Sequence, residues 1–168
     1  MDYETAKTEL LRHAGITDDF YPHGFLASLR PYTGLRSENF HMVVEAIFSV
    51  GHALSTSGTV DRSIIYAVWS IIARARVLGI EDHSLLVRNR LITSQDHEVL
   101  KRWVDVMERT MLQLLHGQTP SQAIHGYCEY VAEYGWGPNL VFFLPILGQA
   151  MEADEHGYEL ESHCQRLY

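Results

Sequence analysis

The sequence predicts an all-α fold: a single-domain bundle of about six to seven helices over residues 1–168, arranged around a central apolar helix at residues 62–78. The stretch Thr93–His116 carries most of this prediction. Leu100, Trp103, Val104, Met107, Met111, Leu114 and Leu115 recur there at three- and four-residue steps and so share one helix face. Four further segments repeat the same spacing, and no period-2 alternation competes with it. With 46% hydrophobic and 20% charged residues, a chain of 168 residues is expected to bury a core without help from a metal or disulfide.

Taken in order, Asp2–Ala14 is expected to form the first helix, with Tyr3, Ala6, Leu10 and Ala14 inward and Gly15 as its stop. Asp18–Leu29 reads as short turns broken by Pro22 and Gly24, followed by a turn at Pro31–Gly34. Ser37 is the expected N-cap of a helix that buries Phe40, Val43, Val44, Ile47 and Leu54. Asp61 is the expected cap of the next, Arg62–Leu78, with Val60 and Ile65 as a hydrophobic staple. That helix is apolar nearly all round, the signature of one enclosed by its neighbours, and Gly79 is expected to stop it. A connector at Glu81–Ile92 with one short helix leads to Thr93, which has capping-box spacing to Asp96. Glu98–Arg102 and Asp105–Arg109 are expected as i,i+4 pairs on the wet face of the long helix. Thr119-Pro120-Ser121-Gln122 has the cap, N1 proline and reciprocal Gln of a helix start, followed by Ile124, Tyr127, Cys128, Val131 and Tyr134. After a break at Gly135–Pro138, a last helix is expected from Asn139, kinked at Pro145.

Charge is unevenly distributed along the chain. The net charge is −8, and residues 117–168 contribute −6 of it, from seven acids against Arg166. A field of this sign argues against nucleic acid and anionic membrane as partners. The N-terminus lacks the basic and apolar regions of a secretory signal. The longest unbroken apolar candidate, Val141–Leu147, is far below the ~20 residues needed to span a bilayer. With two cysteines, Cys128 and Cys164, and no disulfide framework, a cytoplasmic location is expected.

No motif identifies a reaction. His-Glu-x-x-His, Cys-x-x-Cys, a nucleophile elbow and a glycine-rich phosphate loop are all missing from the sequence. Glu152, His156, Glu159 and His163 have the spacing of metal ligands on one helix face, but Gly157 interrupts them and one helix cannot enclose an ion. A solvated polar face is the simpler reading, so no cofactor is expected. Arg74, Arg76, Arg88 and Arg90 form the main basic concentration, a candidate anion site that competes with internal ion pairing.

The expected function is therefore recognition. Glu152, Asp154, Glu155, Glu159 and Glu161 would meet a basic protein partner, with Tyr130, Tyr134 and Trp136 as aromatic anchors. Immunity and antitoxin proteins offer an analogy of size and charge for such an inhibitor. A metal-dependent helical enzyme using the C-terminal Glu and His residues is the first alternative. A small-ligand or dimerisation module, which includes a homodimer, is the second.

Overall fold

The structure, a computed structural model, describes residues 1–17, 21–57 and 59–134, and its regular elements are helical throughout. The expected break at Gly135–Pro138 and the helix from Asn139 lie outside those residues. Helix α1 (Tyr3–His13) is capped by Asp2, whose carboxylate accepts from Thr5 N at 2.9 Å. One turn, α2 (Phe25–Ser28), precedes the long α3 (Ser37–Thr56). Helix α4 (Arg62–Ala75) begins at Asp61, which accepts from Ser63 N, as its sequence position predicts. A π-helical turn at Arg76–Ile80 follows it, then the single turn α5 (Leu85–Arg88). Helix α6 (Ser94–Leu115) is the long amphipathic helix, and α7 (Pro120–Ala123) and α8 (His125–Tyr134) close the described chain.

The four longest helices form a ring in which α1 packs on α3 and α4, and α6 completes the circuit against the same two. Helix α8 packs on α6, while α7 bridges α3 and α6. An aromatic cluster ties α8 inward: Phe40 of α3 stacks on Trp103 of α6 with centroids 5.0 Å apart and meets Tyr130 edge-on at 4.9 Å.

Several local expectations are corrected. The most enclosed helix is α3, with twelve buried residues and only a narrow stripe at Glu38, His52 and Thr56 exposed, whereas α4 buries six and leaves a broad face in solvent. Helix α3 starts at Ser37 itself, with Arg36 in the cap position and no side-chain cap bond. Gly79 does not simply terminate α4. It lies inside the π-helical turn, buried beneath Leu100, where a Cβ would come within 2.6 Å of that side chain. Leu115, assigned to the inner face of α6, is exposed.

The expected i,i+4 ion pairs on α6 do not form: Glu98 pairs with Lys101 at i+3 within the helix, and the other members take partners off it. Arg102 reaches Glu133 at 3.1 Å, Arg109 lies 3.8 Å from Glu129, and both Asp105 and Glu108 face Arg76. Neighbouring helices on both flanks offer partners that an isolated helix would not have. The cap at Thr93 forms, but Asp96 does not reach back to complete the box. Its carboxylate accepts from the Tyr32 hydroxyl at 2.9 Å instead. The box at Thr119 and Gln122 closes in both directions.

By length and hydropathy alone, the helical run Arg62–Arg88 would suffice to cross a membrane. In this fold one face of the run packs against α1, α2 and α6, and the other is open to solvent at Tyr66, Trp69 and Val77.

Candidate functional site

The exposed face of α4 is the most distinctive surface among the described residues. Tyr66, Trp69 and Ala73 follow at steps of three and four along α4, and Val77, in the π-helical turn that continues it, extends the row. Tyr66 is 57% exposed, Trp69 43% and Val77 57%. Isolated apolar side chains on a surface are ordinary, whereas an aligned row of them makes this face a candidate for interaction.

Two depressions flank this ridge, and both are lined by Ala73 and Arg74. The larger, about 580 Å³, extends over Tyr66, Trp69, Ser70 and Ile72 to Arg76 and Glu108. The smaller, about 420 Å³, is walled by Leu26, Val77 and Leu78, with Arg30 on its far side. Ala73 makes a notch between the bulkier Trp69 and Val77, where another backbone can approach.

The platform is held at both ends. At its start, Asp61 caps α4 and also accepts from Lys7 Nζ of α1 at 2.7 Å. These bonds hold the Asp61 carboxyl down at about 2, with the Lys7 bond the largest cause and the Ser63 bonds next. At its other end, Arg76 donates to Glu108 of α6, and the buried Gly79 seats the turn against Leu100.

Its electrostatics are opposite to those of the whole chain. Among the described residues, Arg76 is paired with Glu108, but Arg30, Arg62 and Arg74 have no carboxylate partner. Arg90 is separate from these, lining a depression with Thr93, His97 and Glu98, and its φ of 54° places it in the left-handed region. Arg88 is exposed. The four arginines proposed from sequence as one anion site are thus divided: Arg74 on the ridge, Arg76 in an ion pair, and Arg90 at a different depression.

Glu152, Asp154, Glu155, Glu159, Glu161 and Trp136, together with the alternative ligands His156 and His163, lie outside the described residues. Tyr130 is only 4% exposed, and its hydroxyl accepts from Trp103 Nε1 at 2.6 Å, so it belongs to the core and cannot anchor a partner. Tyr134 is 46% exposed and stacks on Tyr130. Among the described residues, no three His, Cys, Asp or Glu side chains gather as metal ligands.

One buried polar cluster was not visible from sequence. His41 Nδ1 lies 2.6 Å from the Tyr127 hydroxyl, and the buried Glu45 carboxylate is 3.6 Å from the Met1 ammonium. Burial lowers the His41 pKa and raises those of Tyr127 and Glu45. His41 and Tyr127 are both neutral near pH 7, and the bond between them joins α3 to α8. These groups stabilise packing and supply no activated nucleophile.

The α4 ridge itself escaped sequence reading because an apolar helix looks the same whether its last face is covered or open. The available signal was the alignment of Arg62, Tyr66 and Ala73 on one side. Comparison with protein-family models, curated proteins and solved structures gives no match to this chain.

Proposed function

We propose that this chain is a protein-binding module that recognises its partner through the exposed face of α4. The observation that carries this reading is the stripe Tyr66–Trp69–Ala73–Val77 on a helix fixed at both ends. Tyr, Trp and Arg are the residue types that dominate interface energetics, and this face has one of each at Tyr66, Trp69 and Arg74. A fully buried aromatic side chain removes about 150–250 Å² from water. Covering the exposed half of each ring would therefore contribute about 2 kcal/mol apiece before the cost of association.

A photo-crosslinking residue placed at Val77, compared with one at Glu98 of α6, tests the reading. Crosslinks to one defined protein at Val77, lost when Trp69→Asp is added, are expected. Equal labelling from both positions would dispose of the α4 face as the recognition surface.

A second surface rests on charge alone. The acids Glu152, Asp154, Glu155, Glu159 and Glu161 would recognise a basic protein, in a chain whose residues 117–168 sum to −6. Binding that is unchanged after all five are neutralised would eliminate it.

A further inference from the structure

The α4 reading can be taken one step further, to the chemistry of the partner. We infer that the ridge receives an amphipathic helix of another protein, one that carries acidic side chains beside its apolar stripe. The inference rests on the proposal that α4 is the recognition face.

Length and shape favour a helix. From Tyr66 to Val77 the stripe runs eleven residues, about 17 Å at the α-helical rise, or three turns. A partner with apolar residues at i, i+4, i+7 and i+11 covers that distance, and the notch at Ala73 lets the two axes approach.

Charge specifies the rest. Arg30 and Arg74 line the same apolar-walled depression, and neither has a carboxylate partner among the described residues. Each guanidinium presents a planar fork that matches a carboxylate. Arg62 adds a third unpaired cation at the start of the stripe. An Asp or Glu one turn from the partner's apolar contacts supplies what this depression lacks.

A second copy of the chain fits poorly. A two-fold interface maps this face onto itself, setting Arg30, Arg62 and Arg74 against the same three cations. The nearby acids, Asp105 and Glu108, already face Arg76.

The test uses the full chain and a displayed library of helical peptides. Each peptide has Leu at i, i+4, i+7 and i+11, with the flanking positions randomised between Glu, Gln and Lys. Enrichment of Glu next to the Leu stripe is expected. Trp69→Asp should abolish binding, and Arg74→Glu or Arg30→Glu should weaken the selected peptides at least tenfold. Enrichment of Lys, or full affinity retained in Arg74→Glu while Trp69→Asp still abolishes binding, overturns the acidic partner but spares the α4 face. No enrichment over Trp69→Asp overturns both. A photo-crosslinker at Val77 in the purified chain alone distinguishes the other occupants. An adduct between two copies, or one to the chain's own residues 152–161, overturns the inference in favour of that occupant. Recovery of mainly unlinked monomer agrees with it.

Discussion

The indole of Trp103 donates to the Tyr130 hydroxyl at 2.6 Å, joining α6 to α8 inside the aromatic cluster. Tyr130→Phe keeps the ring and removes the acceptor, leaving a buried N–H unsatisfied. A loss of about 1–3 kcal/mol is expected from urea unfolding. Tyr134→Phe, at the exposed ring stacked on it, should change stability by no more than about 0.5 kcal/mol. Equal effects of the two would mean that the Trp103 bond contributes nothing.

Gly79 is a steric key rather than a helix stop. Its Cβ position is 2.6 Å from Leu100 Cδ2 and 3.3 Å from Leu86 Cδ1, and both of those side chains are fully buried. Gly79→Ala should therefore cost about 1–3 kcal/mol through overpacking. Adding Leu100→Val makes room, so the double variant should be more stable than the sum of the single losses implies. Strict additivity in thermal unfolding would contradict the close contact.

His13 gives the stability a defined pH dependence. Its Nδ1 accepts from Phe25 N at 3.0 Å, Nε2 is buried without a hydrogen-bond partner, and burial pushes the imidazole down to about 4. The Glu9 carboxylate would favour the cation, but at 3.9 Å it is too far to bond, and desolvation prevails. The unfolded chain takes up this proton near 6.5 and the folded chain near 4. Stability attributable to His13 is complete above about pH 6.5, falls as pH drops through that window, and levels off below it. The loss should total about 3 kcal/mol. In His13→Asn, which keeps an acceptor for Phe25, the difference between pH 7 and pH 4.5 should shrink accordingly. An unchanged slope would show that the imidazole titrates normally.

Asp61 combines a helix cap with an interhelical ion pair. Asp61→Ala should lose about 1–2 kcal/mol from the cap. Lys7→Met should lose less, because that pair is partly solvated. With the Asp61 carboxyl at about 2 in the folded chain against an ordinary 3.8, its contribution is full above 3.8 and fades as pH falls toward 2. Chemical unfolding at pH 7 and pH 3 of both variants measures the two parts.

Substitutions on the α4 ridge should separate binding from folding. Tyr66→Gln and Trp69→Gln give up the buried part of each ring but leave the core intact, so stability should fall by no more than about 2 kcal/mol while partner binding weakens at least tenfold. A collapse in stability would show that these rings belong to the core.

Much of this fold could be read from local chemistry. Asp61, Thr93 and Thr119 cap helices where their spacing to the next residues predicts, and Gly15 and Gly117 turn the chain at positive φ. What escaped is what depends on neighbours remote in sequence. Asp96 turns to Tyr32, Arg102 to Glu133, and Asp105 to Arg76, none of which a helical wheel of α6 alone can indicate. The helical spacing of Tyr130 fits an exposed ridge as well as a core, so the sequence alone leaves it among the aromatic anchors. Contact with Phe40 and Trp103 decides for the core. The candidate site was half legible. Arg74 stood out as part of a basic concentration, but its setting beside Tyr66, Trp69 and Val77 depends on which side of α4 its neighbours cover.

With Lys7 gripping one end of α4 and Leu100 resting over Gly79 at the other, the backbone beneath the ridge is fixed in the free chain. If a helix docks there as proposed, the backbone entropy lost falls on the incoming segment, and this chain loses only side-chain freedom at residues such as Tyr66 and Arg74. Calorimetry should accordingly respond to the guest's own helical propensity: a peptide stapled into its helix should gain affinity almost entirely through a smaller entropic penalty.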